Sequence, residues 1–319
     1  MNRPSLTESA VRRFVGVDIG GTKTHAMASA DDASPGAEPE EILVPTSTWR
    51  AGLGHPVADA GALAQMLVER LGASVLSASV AVGAHGCDNS RQCEDLDREL
   101  RRYVLGPVIV VNDSELMAPA MERENAIGLV VGTGSIATAR DDAGELVTAG
   151  GWGWALGDEG SAAGLVRDAT KAVLTGLDEG DALDPLGRRL LARFEAHDAA
   201  ELALAVGAAD SAEARGLHAR EVFLAADEGS SLAERVIDEA GDSLADLIDR
   251  LLRRGIRTET VVAGGSVIER QPRLQTALTR ALARRRPEVD VEILTRPPVT
   301  GALELARRAV KQTPNPFPG

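Results

Sequence analysis

The sequence lacks the features that define several classes of protein. No segment contains the roughly 18 uninterrupted apolar residues of a transmembrane helix, and residues 1–13 lack the apolar stretch of a signal peptide. We therefore expect a cytoplasmic protein with no membrane partner. The only cysteines, Cys87 and Cys93, have the spacing C-x5-C, which matches neither a disulfide framework nor a common zinc site, so we expect two reduced thiols. The histidines include no close helical pair, so we expect no histidine-based metal site.

The chain also has fewer basic than acidic residues. Lys and Arg number 34 against 48 Asp and Glu, which gives a formal charge of −14 and a pI near 4.9. Long-range repulsion would oppose binding to nucleic acids and to anionic membranes, so a small-molecule ligand is the better expectation. The hydrophobic content of 44% is that of a folded protein, and 319 residues exceed one ordinary core. We therefore predict two domains with a cleft between them.

A glycine turn interrupts the first apolar segment, FVGVDIGGTKTHAMASA at residues 14–30. Strand patterns stand on both sides of the glycines, so the segment is predicted to be strand, tight turn and strand. A P-loop and a dinucleotide fingerprint are both excluded, because each requires its own glycine spacing followed by a helix. Gly20 and Gly21 would let backbone N–H groups approach an anion closely, and Thr22 and Thr24 would add hydroxyls.

Asp18 stands immediately before this turn. Its carboxylate would repel a phosphate unless a cation intervened, so we assign Asp18 to Mg²⁺, bound through water. The alternative is an ordinary glycine-rich hairpin with a turn aspartate.

A second copy of the same pattern occurs at residues 127–140, IGLVVGTGSIATAR. Two copies fit two related domains, each beginning with a hairpin whose tip faces a shared ligand. Gly132, Thr133, Gly134 and Ser135 offer a set of donors equivalent to the first turn. The two turns together could hold a β,γ-phosphate pair from both sides.

A third glycine pair, Gly264 and Gly265, lies between a predicted strand and a predicted helix. Small residues there would let a purine and a ribose rest against the backbone. The alternative is a simple strand-to-helix turn in which Ser266 is the N-cap.

Asp113 lies at the exit of the predicted strand VIVVN and in the first turn of a predicted helix. A helix N-terminus favours the ionised carboxylate, which would then be ready to accept a proton from a substrate hydroxyl. Helix capping together with Asn112 or Ser114 is the alternative, and the two roles can coexist.

The densest motif is GGWGWALGDEGSAAGL at residues 150–165. Only 3% of the chain is aromatic, so two tryptophans in one loop indicate substrate recognition, with their faces stacked on a sugar. Asp158 and Glu159 could accept hydrogen bonds from sugar hydroxyls. The alternative is a helix-capping loop in which Trp152 and Trp154 are core anchors.

These motifs occur in a fixed order along nearly the whole chain. They are DIGGTKT from Asp18, VNDS from Val111, GTGSIA from Gly132, GGWG from Gly150, GDEGS from Gly157 and AGGS from Ala263. In this combination the chain resembles the N-acetylglucosamine kinase family, a branch of the actin, Hsp70 and sugar-kinase superfamily that is grouped with the BadF/BadG/BcrA/BcrD-type ATPases.

The resemblance implies an α/β, two-lobed actin-like ATPase fold of the ribonuclease H-like type, with duplicated domains around a central cleft. The first lobe would comprise residues 11–118 and about 300–312, and the second lobe residues 119–299, with frayed tails at 1–10 and 313–319. The activity implied is transfer of the γ-phosphate of ATP to the 6-hydroxyl of an amino sugar, N-acetylglucosamine first. A homodimer is the assembly implied.

The resemblance also implies roles for individual residues. Asp113 would be the base that activates the sugar hydroxyl, and Asp18 would serve Mg²⁺. Nucleotide contacts would come from Gly20, Gly21, Thr22, Lys23, Thr24, Gly132, Thr133, Gly134, Ser135, Gly264, Gly265 and Ser266. Sugar contacts would come from Asp113, Gly151, Trp152, Asp158, Glu159 and His85.

The identity of the sugar stays open between N-acetylglucosamine, N-acetylmuramic acid, glucosamine and glucose. The chain departs from the family pattern at PTSTWRAGLGH and GAHGCD, so Trp49, Arg50 and His85 are candidate specificity residues. Arg50 could meet an acidic substituent such as the lactyl group of N-acetylmuramic acid, or it could be a solvated loop arginine. His85 could equally be an ordinary core or loop histidine.

Two other classes of function compete. An ATPase that activates a partner protein would hold an iron–sulfur cluster between subunits, which the close pair Cys87 and Cys93 does not suggest. A sugar-responsive regulator would need a DNA-binding module, for which the segment before Phe14 is too short.

Overall fold

The computed structural model describes residues 13–31, 38–52 and 55–312. The chain divides into two units, one formed by residues up to Arg123 and from Arg296 onward, the other by Glu124–Thr295. Each unit contains one five-stranded sheet, so the α/β class is confirmed. The tails predicted at 1–10 and 313–319 lie outside the described residues. Within the described ranges, no helix is long and apolar enough to cross a membrane.

The first unit is a mixed sheet covered by helices. Its strands follow the order β3-β2-β1-β4-β5, with β1 antiparallel to β2 and parallel to β4, and β4 parallel to β5. Their bounds are β1 Arg13–Ile19, β2 Lys23–Ala30, β3 Glu40–Pro45, β4 Ser79–Ala84 and β5 Val108–Asn112. The helices that follow in the chain are α1 Pro56–Leu71, α2 Ser90–Leu100 and the single turn α3 Met117–Ala120. The apolar side chains of α1 and α2 pack on one face of this sheet.

The second unit repeats the sheet and adds more helices. Its strands follow the order β10-β9-β6-β7-β8. Their bounds are β6 Ile127–Val131, β7 Ser135–Arg140, β8 Leu146–Gly150, β9 Thr260–Gly264 and β10 Asp290–Ile293. The helices are α4 Ala162–Asp178, α5 Pro185–Arg193, α6 Ala199–Gly207, α7 Ala212–Gly216, α8 Arg220–Asp227, α9 Ser231–Arg253 and α10 Pro272–Arg285. The long helix α9 contributes a buried apolar stripe to the core of this unit.

The final helix, α11 Pro298–Gln312, packs on the sheet of the first unit. Glycine at position 16 of β1 makes this possible, because an added Cβ would stand 2.3 Å from the backbone nitrogen of Leu303. Apolar residues from β1, β4 and α11 close this second face of the sheet, among them Phe14, Ala81 and Ala306.

Strand register brings the motif residues of each unit to one sheet edge. In the first unit Ile19 is level with Ala84 and Ala84 with Asn112, so the residues that follow them leave the sheet side by side. In the second unit Val130 is level with Gly264, and Val131 with Ser135. Motifs far apart in sequence therefore meet because parallel strands end together.

The structure differs from one local prediction and from one of the alternatives. The helix predicted after Val111 is a 3-10 turn, Asp113–Leu116, followed by the four residues of α3. Ser266 is not an N-cap, because Val267 precedes the 3-10 turn Ile268–Arg270 and no side chain caps it. Pro272 explains the second difference, since proline favours the first position of a helix and disfavours helical geometry in the residue before it.

Candidate functional site

The first glycine turn has its carbonyl groups tied down and its amides free. The Gly20 amide closes the turn on the Lys23 carbonyl at 2.9 Å. Thr46 holds the other side, because its hydroxyl donates to the Gly20 carbonyl at 2.9 Å and its amide donates to the Thr22 carbonyl at 3.0 Å. No described residue accepts a hydrogen bond from the amides of Gly21 and Thr22. These exposed amides can donate to an anion.

Thr24 does not belong to the exposed part of this turn. It lies in β2, is fully buried, and its Oγ1 atom is 3.0 Å from Thr46 Oγ1. The indole Nε1 of Trp49 also donates to this hydroxyl at 3.0 Å. The prediction that Thr24 offers a hydroxyl to a phosphate is therefore wrong, because its side chain points into the core behind the turn. Thr22 and Lys23 are exposed as expected.

Asp18 and Asp113 lie at the same edge of the first sheet and repel each other. Burial raises the pKa of Asp18 to about 7, with the charge of Asp113 adding to the rise and Lys23 opposing it. An acidic pair that is costly to ionise is the kind of donor set that a divalent cation relieves. Mg²⁺ usually takes one or two carboxylates and completes its shell with water and phosphate, so Asp18 fits the ion.

Asp113 starts the 3-10 turn after β5. The amide of Ser114 donates to Asn112 Oδ1 at 3.0 Å and to Asp113 Oδ1 at 3.1 Å, and Glu115 completes the capping box. Burial raises the pKa of Asp113, while His85 and the Ser114 amide oppose the rise. The amides of this turn favour the ionised form, as predicted, but desolvation outweighs them and the net pKa of Asp113 is raised. A single 3-10 turn has too small a dipole to offset desolvation.

His85 follows β4 and faces both parts of this edge. Its Nδ1 atom is 3.9 Å from Asp113 Oδ2, and its side chain is about half exposed at 48%. An added Cβ on Gly21 would lie 3.6 Å from the imidazole ring. His85 is therefore neither a core histidine nor remote from the turn, and its ring stands between the turn and Asp113.

Arg50 is neither a solvated loop residue nor free to meet an acidic ligand. Its side chain is buried, with Nε and Nη2 both 2.8 Å from Asp59 Oδ2. Its Nη1 atom donates to the carbonyl of His85 at 3.0 Å. The carboxylate of Asp59 neutralises the arginine, and the pair supports the loop that carries His85. Both sequence-based interpretations of Arg50 were wrong.

The second glycine turn is anchored more heavily than the first. The Gly132 amide donates to the Gly134 carbonyl at 2.9 Å, and the Gly132 carbonyl accepts from the Ala162 amide at 2.8 Å. Ser135 Oγ donates to the carbonyl of Glu159 at 2.8 Å. The amides of Thr133 and Gly134 have no acceptor within the part of the chain that the structure describes. This turn therefore also presents free donors on a rigid support.

The GDEGS motif supplies that support. Asp158 is buried, has a positive φ of 57°, and accepts from the Ser135 amide at 3.3 Å. Burial raises the pKa of Asp158, and the Ser135 hydrogen bond opposes the rise. The carboxylate thus lies behind the turn, where an added Cβ on Gly134 would stand 3.0 Å from Oδ2. Glu159 is half-buried.

The glycine pair after β9 packs directly on this second turn. Gly265 has a φ of 115°, and an added Cβ would stand 2.7 Å from the carbonyl oxygen of Val131. Its amide donates to Glu269 Oε1 at 2.7 Å. Ser266 is exposed, and its hydroxyl lies near Gly132. Gly264 is buried at the end of β9, so the predicted nucleotide residues of this unit form one edge.

The tryptophans of the GGWGWALG segment have different environments. Trp152 is 72% exposed, which excludes a core anchor. Trp154 is half-buried, with the guanidinium carbon of Arg215 4.0 Å from its ring centroid. Gly151 begins the loop with a φ of 73°, and its amide donates to the Ser135 carbonyl at 2.9 Å. The exposed face of Trp152 is therefore available to a ligand.

Sequence reasoning missed residues that act from outside the glycine motifs. Thr46 anchors the first turn, and Arg167 donates from Nη1 to the carbonyls of Trp154 and Gly157 at 2.8 and 2.7 Å. The only signal for Thr46 was the polar PTST segment after β3, and α4 offered none for Arg167. In the described residues no group of three or more His, Cys, Asp or Glu side chains is placed to hold a metal ion, so Mg²⁺ would depend on Asp18, water and phosphate.

The sequence of this chain is similar to those of known proteins. The profile of the BadF/BadG/BcrA/BcrD ATPase family matches residues 15–304. An N-acetylmuramic acid/N-acetylglucosamine kinase of Clostridium acetobutylicum is 31% identical over 192 residues, covering 54% of this chain and 60% of that relative. An N-acetyl-D-glucosamine kinase of Dictyostelium discoideum is 24% identical over 93% of this chain and 98% of that protein.

A solved structure supports the same fold. It is a protein of Chromobacterium violaceum provisionally assigned as an N-acetylglucosamine kinase, with a TM-score of 0.67 and 23% identity over 93% of this chain and 99% of that one. The profile match covers most of the sequence, including every motif described above. This chain belongs to the BadF/BadG/BcrA/BcrD ATPase family.

Proposed function

We propose that this protein is a sugar kinase that transfers the γ-phosphate of ATP to the 6-hydroxyl of an N-acetylated amino sugar, N-acetylglucosamine first. The names of its two curated relatives support this assignment, and its family is one of ATPases. Phosphoryl transfer needs positioning and charge neutralisation more than covalent chemistry by the protein.

The observation that carries the proposal is the acidic edge of the first unit. Asp113 and Asp18 interact electrostatically beside a turn whose free amides can donate hydrogen bonds to an anion. A carboxylate whose pKa is raised by burial is a stronger base when ionised, which suits proton removal from a sugar hydroxyl. A purely structural turn has no need for two such carboxylates at its mouth.

In the proposed reaction Asp113 accepts the proton of the sugar hydroxyl as that oxygen bonds to the γ-phosphorus, while the bond from this phosphorus to the β,γ-bridging oxygen breaks and ADP leaves. The amides of Gly21 and Thr22 donate to phosphate oxygens, and exposed Lys23 adds positive charge. Asp18 would hold Mg²⁺, which when bound neutralises charge on the phosphates. His85 lies beside Asp113 and keeps its carboxylate more acidic than burial alone would.

The second unit provides the binding surface in this proposal. The amides of Thr133 and Gly134 donate to phosphate, with Gly132 and Ser135 shaping the turn. Gly264, Gly265 and Ser266 contact the adenosine. Trp152 stacks on the sugar through its exposed face, Gly151 lets the loop approach, and Glu159 accepts from a sugar hydroxyl. Asp158 acts indirectly, because its carboxylate holds the second turn in place.

A coupled assay of ADP release tests this function. N-Acetylglucosamine, N-acetylmuramic acid, glucosamine and glucose are each added to the protein with ATP and Mg²⁺, and the phosphorylated carbon is identified by NMR. We expect ADP release that depends on N-acetylglucosamine and a product phosphorylated at carbon 6. ATP hydrolysis that no sugar stimulates would reject the kinase and favour an ATPase that acts on a partner protein.

A further inference from the structure

Arg215 is a buried cation without a counter-ion. The buried arginines among the described residues are Arg50 and Arg215, exposed by 9% and 5%. Arg50 is neutralised by Asp59. Arg215, on α7, has no carboxylate partner in the described ranges, and its Nη2 atom donates to the carbonyl of Val206 at 2.9 Å. A buried charge without an opposite charge is rare, because removing the charge from water costs on the order of several kcal/mol.

Unsatisfied polar atoms are concentrated at this place. Over the described residues, the buried side-chain atoms that lack any hydrogen-bond partner are Arg215 Nε and His218 Nδ1. These two residues are three positions apart, and the His218 amide donates to the Arg215 carbonyl at 3.2 Å. Buried polar groups without partners often mark a bound water or a ligand. Two of them in one turn, beside an unpaired charge, indicate an anion.

This turn adjoins the loop that we assign to the sugar. The Arg215 guanidinium lies 4.0 Å from the ring centroid of Trp154, two residues after exposed Trp152. Burial lowers the pKa of Arg215, and the charge of Arg167 adds to that effect. An anion near the loop would offset both the burial of the Arg215 charge and its repulsion by Arg167. The flanking Gly153 has a φ of 81° and open space where a Cβ would stand, so the loop beside Trp154 is not packed against other atoms at that position.

We propose that Arg215 recognises a carboxylate carried by a substituent of the amino sugar, so that the enzyme accepts acidic N-acetylated amino sugars. This inference rests on the proposed kinase function and extends it to a substrate class. The free Nε edge of the guanidinium donates to the carboxylate, and the neutral imidazole of His218 can donate a second hydrogen bond from Nδ1. Arg215 is thus a specificity residue, and the reacting groups lie elsewhere.

The test compares an acid with its own amide. The wild-type protein is assayed for kcat/KM with N-acetylmuramic acid, with its carboxamide and with N-acetylglucosamine. A charge-assisted hydrogen bond predicts a preference of about 10- to 100-fold for the acid over the carboxamide. Arg215→Gln should abolish that preference and leave kcat/KM for N-acetylglucosamine within about twofold. The comparison of acid and amide on the wild type needs no variant to fold.

Two further variants sharpen the test. Arg220→Gln removes the same charge from a nearby exposed position and should change nothing. Arg215→Lys keeps the charge but loses the planar fork, so it should retain part of the preference. The KM for ATP should be unchanged in every variant, because a rise would mean that Arg215 binds a nucleotide phosphate and would overturn the inference.

The other possible results of these assays each reject either the role of Arg215 or the kinase function. Equal rates with acid and carboxamide, or no turnover of the acid while N-acetylglucosamine is phosphorylated, would overturn the role of Arg215 and leave the kinase intact. Equal losses with all three sugars in Arg215→Gln would reduce Arg215 to a structural support for Trp154. Turnover of none of the sugars would reject the kinase function itself.

Discussion

The two glycine turns look alike in sequence and differ in their surroundings. The first turn carries Asp18 and Asp113 at its mouth and is held mainly by Thr46. The second turn is held from several sides, by Ala162, Asp158 and the packed Gly265. Both leave the amides at their tips free. One sequence pattern therefore occurs in two settings, beside two carboxylates in the first unit and on a rigid support in the second, and our proposal gives proton transfer to the first and nucleotide binding to the second.

The largest effect is expected at the first turn's edge. Asp113→Asn removes the proposed base without changing its shape, so kcat should fall about 10²- to 10⁴-fold while ATP still binds. Steady-state assays with N-acetylglucosamine and calorimetric titration with ATP measure the two quantities. Asp142→Asn, at an exposed carboxylate, is the matched control and should be silent. Turnover at the wild-type rate in Asp113→Asn would remove Asp113 from the mechanism.

The second largest effect is expected from a substitution that disturbs the packing of the second turn. Gly265→Ala places a Cβ 2.7 Å from the Val131 carbonyl at a φ of 115°, so it should destabilise the protein by about 1–3 kcal/mol. The KM for ATP should rise as well. Denaturant unfolding checks the first expectation. Gly207→Ala is the control, because this helical glycine has open space and alanine there should stabilise by about 1 kcal/mol.

In the absence of metal ions, Asp18 should make the free energy of unfolding depend on pH. Its folded pKa is about 7, against 3.8 for the ordinary group, so between these values the folded state keeps a proton that the unfolded chain has lost. Stability therefore falls as pH rises through this window. Asp18→Asn should be more stable than the wild type by about 1–2 kcal/mol at pH 8 and equally stable near pH 4. Urea unfolding with a chelator at both pH values measures this, and an equal difference at both would contradict it.

The smallest effect is expected from His85. His85 lowers the pKa of Asp113, so His85→Gln should move the acidic limb of the kcat/KM profile to higher pH. On the plateau above that limb the variant should lose only about twofold, because the shift affects the limb alone. An unchanged limb would show that His85 does not influence Asp113.

The sequence was sufficient to predict the strand-turn-strand hairpins and the α/β class. Their apolar runs and glycine pairs determine local backbone structure, which depends little on contacts with distant parts of the chain. The turn residues Gly21, Thr22, Thr133 and Gly134 lie at exposed or half-exposed tips as the pattern indicated. Their contacts with a nucleotide remain predictions.

Side-chain direction and pairing were beyond the sequence. Thr24 seemed equivalent to Thr22, but strand alternation turns its hydroxyl into the core. Arg50 seemed free because Asp59 lies in another element, and only the fold brings the two together. For Asp113, burial raises the pKa and the dipole of a helix would lower it. The element after β5 begins as a 3-10 turn, so burial decides the direction of the pKa shift. The Arg50 error concerned a contact between separate elements, the Asp113 error concerned burial, and the Thr24 error concerned the direction of a strand side chain.

Amide hydrogen exchange on binding a non-hydrolysable ATP analogue with Mg²⁺ tests the central claim most directly. The account predicts slower exchange at residues 20–23 and at residues 132–135, with the larger change at the first turn because it is the more exposed of the two. Binding that leaves the exchange of both turns unchanged would contradict it.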